Sequence, residues 1–155
     1  MSTAFETLLR EFAVAKGLAG DETSMGLEFE SEGHSVVVIQ HPLHPDHVMV
    51  EVSVVALDAQ PAAAQLAVLL QLNEAARFEH DWSVGMDGAM QVSLCTTAPA
   101  ASLSVMDLES LMLEGVERAQ ALAALLGDEA LQGDAALGQS SDPALAVHAA
   151  QMLRG

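Results

Sequence analysis

Apolar and polar residues alternate along this chain with two different periods, and the changes of period divide it into elements. From about Thr3 to Lys16, Phe5, Leu8, Leu9, Phe12 and Ala13 recur at the three- and four-residue spacing of a single helix face. Thr3 followed by Glu6 has the form of a capping box, and Gly17 supplies a stop. From Met25 to Leu57 the period drops to two. Leu27 and Phe29 alternate with Glu28 and Glu30, Glu32-Gly33 marks a turn, and Val36, Val37, Val38 and Ile39 are apolar on both faces. The third strand sets Val48, Val50, Val52 and Val54 against Met49, Glu51, Ser53 and Val55. Turns this short join antiparallel strands.

Pro61 opens a second helix, in which Leu66, Leu69, Leu70 and Asn73 share one side and Val68, Leu72, Ala75 and Ala76 another. A hairpin is expected next. Phe78, His80, Trp82 and Val84 alternate with polar residues, Asp87-Gly88 carries the signature of a type I′ turn, and Met90, Val92 and Leu94 alternate back. The last long helix runs from about Val105 to Leu126, with Ser104 and Asp107 as its start signal and Gly127 as its stop. The pattern predicts one α+β domain over residues 1–127, ordered helix, three strands, helix, two strands, helix: a twisted antiparallel sheet flanked by helices. Residues 128–155 are rich in Gly, Ser, Asp and Ala and read as a flexible acidic linker. Asp142-Pro143 is placed to cap a short final helix carrying Leu145, Ala149, Met152 and Leu153.

Two of these elements ask for cover that the chain itself is short of. The helix after Pro61 is apolar on more sides than a few-helix protein can bury, which favours pairing with a second copy over a sandwich within one chain. The β-branched run at Val36–Ile39 suggests that part of the second sheet face is also covered by something outside this fold or by a partner.

Composition narrows the possibilities. A chain of 155 residues accommodates one domain with a real core, and 51% apolar content argues against disorder of the whole. Twenty-two acidic residues against five basic ones give a net charge of −17, which repels nucleic acid and anionic lipid. The single cysteine, Cys95, excludes an internal disulfide, suits a reducing compartment, and sits in an expected strand as a structural thiol. The start of the chain carries Glu6 and Glu11 and lacks the form of a signal peptide, while Gln65 and Gln71 interrupt the longest apolar stretch. A cytoplasmic protein with no membrane partner is the expectation.

Catalytic signals are sparse. His41, His44, Asp46 and His47 have the residue types of a metal site, but Pro42 and Pro45 make the stretch a turn between strands, and no fourth ligand stands out. A polar loop is therefore expected, with no metal and no cofactor. The chain contains no GxSxG, no dinucleotide or P-loop glycine pattern, no HExxH and no CxxC, so a non-enzyme is expected.

Against this background, TLLREFAVAKGL, LLQLNEAARFE, DWSVGMDGAMQVSLCTT and LESLMLEGVERAQALAALL, taken in this element order, resemble the class I chaperones of bacterial type III secretion, of the Tir-chaperone type. The resemblance covers about Thr3 to Leu126; the His-Pro loop and the tail match no family feature. It implies a homodimer whose two-fold interface involves Leu66, Leu69, Leu70 and Asn73, with Phe78, His80 and Trp82 nearby. It implies a partner too: the N-terminal region of a secreted effector, held extended and secretion-competent. By carry-over, Leu8, Leu9, Phe12, Leu27, Phe29, Val37 and Ile39 are the effector-binding candidates, with strand addition at a sheet edge. Two alternatives stand beside this reading. One is a related α+β binding or regulatory protein unconnected with secretion; the other is a small metal-dependent enzyme using the His41–His47 loop.

Overall fold

A computed structural model describes residues 3–18, 26–79 and 82–128. The elements come in the expected order: α1 (Ala4–Lys16), β1 (Gly26–Ser31), β2 (His34–Gln40), β3 (His47–Ala56), α2 (Ala63–Glu79), β4 (Ser83–Met86), β5 (Gln91–Pro99) and α3 (Val105–Leu126), with a 3₁₀ turn at Ala100–Ser102. The strands form a five-stranded sheet in the order β1-β2-β3-β5-β4, which leaves β1 and β4 as its edges. Two compact units divide the chain, residues 1–52 with 95–116 and residues 53–94 with 117–155. The expected linker and final helix beyond residue 128 lie outside the described residues.

In the first unit, local chemistry sets both ends of α1. Thr3 Oγ1 accepts from the Glu6 N–H while Glu6 Oε2 accepts from the Thr3 N–H, and Gly17 closes the helix in the left-handed region (φ 66°). Phe5, Leu8, Leu9, Phe12 and Ala13 are the buried face, as the spacing predicts. Glu32 and Gly33 turn β1 into β2 with φ of 52° and 84°, the positive pair that a two-residue hairpin needs. Register then builds rows across the strands. Phe29 pairs with Val36 and Val36 with Val52, while Leu27 pairs with Val38 and Val38 with Val50. The four valines are fully buried. Because successive side chains in a strand point to opposite faces, Glu28, Val37 and Glu51 form a row on the other side. Ser104 and Asp107 start α3 with a reciprocal cap, and hydrogen bonds from the Ser104 hydroxyl and N–H hold the Asp107 carboxyl below its ordinary range.

In the second unit the helix start falls slightly later than expected. The Ala62 carbonyl accepts the first helical bond, from Leu66 N–H, so Pro61 precedes the helix. Gln65 is buried at 7% exposure; its Oε1 accepts from the Ala62 N–H (3.0 Å) and its Nε2 donates to the carbonyl of Leu126 (2.8 Å). One amide thus joins the start of α2 to the end of α3.

Two expectations in this unit need correction. The strand placed over Phe78–Val84 begins only at Ser83, because α2 continues through Glu79 and carries Phe78 in its last turn. LLQLNEAARFE has no helix breaker, and helical propensity overrides the apparent alternation. The hairpin turn also differs from the expected type I′ form. Asp87 Oδ1 accepts from the N–H groups of Ala89 and Gln91, and the left-handed residue is Met90 (φ 61°) rather than Gly88. The longer turn leaves the Asp87 side chain to hold the loop.

Candidate binding cleft

An apolar cleft of about 370 Å³ opens in the first unit. Its walls follow from the strand register. Phe29 and Leu27 lie on the same sheet face as the buried valines, but β1 is the edge, and burial fades along each row: Val52 and Val36 are at 0%, Phe29 at 36%. Phe12 and Leu18 from the end of α1 and Met112, Leu113 and Val116 from α3 complete the cleft, with Leu113 56% exposed. Lys16 and Glu109 also line it and pair with each other, and the Lys16 ammonium lies 6.0 Å from the centre of the Phe12 ring. Both side chains are partly exposed, so the pair is worth little as a stabiliser. It does neutralise its own two charges at the mouth, which Glu28 of β1 also borders. What remains is an apolar recess suited to side chains such as Leu, Ile or Phe, at the small end of the range of roughly 300–1,000 Å³ typical of ligand sites.

The effector-binding candidates therefore separate into three groups. Phe12, Leu27 and Phe29 line the cleft together. Leu8 and Leu9, at 3% and 0% exposure, are closed into the core. Val37 and Ile39 are half-buried and lie on the opposite sheet face from Leu27 and Phe29. Leu113 was not legible as a wall residue, although an apolar side chain out of phase with the buried stripe of α3 was a usable signal.

The interface candidates also divide. Leu69 is buried at 7% whereas its neighbour Leu70 is 71% exposed, so the two do not share a side; Leu66 is half-buried. Asn73 faces inward: its Nδ2 donates to the Val84 carbonyl and its Oδ1 accepts from the Val84 N–H. Trp82 is buried just before β4, against a small cavity shared with Leu72, Val84, Leu94, Arg118 and Leu122. His80 lies outside the described residues.

The histidine loop is held by its own ring. His41 Nδ1 accepts from the backbone N–H groups of Leu43 and His44, both at 3.1 Å, and the His41–His44 and His44–His47 ring centres are 4.9 and 5.7 Å apart. One nitrogen of His41 is thereby engaged in closing the turn, as an Asx side chain would be. Among the described residues no group of three His, Cys, Asp or Glu side chains is placed to hold a metal ion. Burial, and secondarily the nearby Glu51 carboxylate, pushes the Cys95 thiol up to about 11, so the nucleophilic thiolate is scarce at neutral pH. No helix among the described residues is long and apolar enough to cross a membrane.

Comparison with known proteins places this geometry. A chain of the ExsC–ExsE complex superposes with a TM-score of 0.62 at 25% identity, covering 78% of this chain and 92% of that one. A chain of the HopA1–SchA chaperone–effector complex gives 0.62 at 13% identity, covering 78% and 94%. A third match comes from the Yersinia pestis type III secretion chaperone SycH in complex with a stable fragment of YscM2, at 0.58 and 19% identity, covering 74% and 96%. No curated protein matches the sequence. The profile of the Tir chaperone protein (CesT) family matches residues 7–123 of the 155, and the chain belongs to that family.

Proposed function

We propose that this protein is a cytoplasmic type III secretion chaperone that acts as a homodimer and holds the N-terminal region of a secreted effector extended until export. It works by binding, without catalysis. Family membership supports the chaperone role, and the similar solved chains in complexes with effectors support the choice of partner. The observation that carries the reading on this chain is the cleft: three residues nominated by the resemblance, Phe12, Leu27 and Phe29, line one open apolar recess beside an edge strand.

The physics fits such a partner. An extended segment loses backbone freedom on binding, roughly 1–2 kcal/mol per residue. Burial of large apolar anchors, about 1.5–3 kcal/mol each, and main-chain hydrogen bonds to a strand edge offset that loss. The exposure of Leu70, with Leu66 one turn away, supports a dimer seam along the outer side of α2.

Two measurements test the proposal. Purified from its native cytosol, the protein should carry a stoichiometric secreted partner, and Phe29→Asp should release it while the circular dichroism spectrum is kept. Light scattering should return twice the 16.2 kDa chain mass. A monomer at micromolar concentration would remove the dimer, and a partner retained by Phe29→Asp would remove the cleft.

A further inference from the structure

The two faces of β1 present different chemistry to a strand laid along its open edge. On the cleft face stand Leu27 and Phe29, beside Phe12 and Leu113. On the other face stand Glu28 and Glu30, both exposed, with Glu51 in the same row as Glu28, two strands away. Lys16 is matched by Glu109 at the cleft, whereas Glu28 and Glu30 make no ion pair among the described residues. Lys16 and Glu109 thus balance each other in the cleft, which Glu28 borders from β1, while the side of the strand bearing Glu28 and Glu30 carries negative charge that no ion pair among the described residues opposes.

A strand added to β1 alternates in step with it, so every second side chain falls next to Leu27 and Phe29 and the others fall next to Glu28 and Glu30. We propose that the cleft and edge of β1 select a segment in which apolar residues alternate with lysine or arginine, the acidic face of β1 setting the second half of that pattern. The inference rests on the cleft being a strand-addition site, as proposed above, and adds the sequence pattern the site accepts. The net charge of −17 draws any cation toward the surface, but only the alternation places cations on one face and apolar anchors on the other.

Three synthetic peptides of equal length separate these effects, with binding followed by fluorescence anisotropy on the full-length protein. One interleaves Leu and Ile with Lys, the second replaces each Lys with Glu, and the third has the composition of the first with Lys and apolar residues segregated into blocks. The Lys-interleaved peptide should bind about three- to tenfold more tightly than the block peptide of the same charge, the range expected for two favourable cross-strand pairs. The gap to the Glu-interleaved peptide should be larger still and should shrink with added salt. Glu28→Gln with Glu30→Gln should weaken the Lys-interleaved peptide by a similar factor while leaving the block peptide unchanged. Equal binding of the interleaved and block peptides would reduce the effect to bulk charge and overturn the proposal. Equal binding of the Lys- and Glu-interleaved peptides, both abolished by Phe29→Asp, would overturn the charge pattern and leave the cleft standing. If no peptide binds, the strand-addition reading itself fails, and the pattern with it.

Discussion

The two compact units are held by different kinds of force. In the first, valines at 36, 38, 50 and 52 are stacked in rows and buried completely, and the fold there rests on apolar area. In the second, α2 is apolar on several sides, so burial alone does not say which side turns inward. Two side-chain amides do: Gln65 bonds backbone at Ala62 and Leu126, and Asn73 bonds both backbone groups of Val84. Directional bonds set the rotation that puts Leu69 in and Leu70 out. Non-directional burial tolerates an unfinished edge, and that tolerance is where the cleft sits. An ambiguous helix needs fixed partners, and the second unit supplies them.

Breaking an amide should therefore cost far more than stripping an apolar wall. Gln65→Leu leaves the Ala62 N–H and the Leu126 carbonyl without their partner, and urea unfolding should show a loss of about 2–4 kcal/mol. A loss below about 1 kcal/mol would mean that the amide is not what fixes α2. Next in size is a gain. Met90→Gly relieves a left-handed residue and should raise stability by about 0.5–1 kcal/mol in the same assay; an unchanged midpoint would argue that the Met90 side chain contributes as much as its backbone costs. Leu113→Gln, on an exposed face of α3, should move stability by no more than about 0.5 kcal/mol. Partner binding should nevertheless fall, and loss of stability together with binding would show that the cleft wall is structural.

The smallest effect at neutral pH concerns Cys95. With its thiol raised to about 11 from an ordinary 9.0, the folded state holds the proton more tightly than the unfolded one. Its contribution is present in full below pH 9 and is lost as pH climbs toward 11. Alkylation by iodoacetamide should accordingly be slow at pH 8 and accelerate through that window, and Glu51→Gln should bring the acceleration to lower pH. Rapid labelling of the folded protein at pH 8 would contradict the burial.

Much of the first unit was legible because its signals are local and periodic. Thr3, Glu6 and Gly17 mark α1, and alternation across Val48–Val54 marks β3. The second unit was harder. The residues after Ala76 have both a helical spacing and an alternation, and only the packed structure decides that Phe78 is helical. Gln65 read as a polar interruption of an apolar stretch, since nothing in sequence links it to Leu126, sixty-one residues away. The cleft itself was half visible. The family resemblance named Phe12, Leu27 and Phe29, but separating them from Leu8 and Leu9 required knowing where the sheet ends.

Asn73 has one further consequence. At Val84 the amide occupies the N–H and the carbonyl that an outer strand would need, so this edge of the sheet is closed at that residue. A second copy meeting β4 there does so through side chains, because the ladder cannot continue from Val84 into a neighbour. Promiscuous pairing, the ordinary hazard of an exposed strand, is thus stopped at Val84 by a single carboxamide.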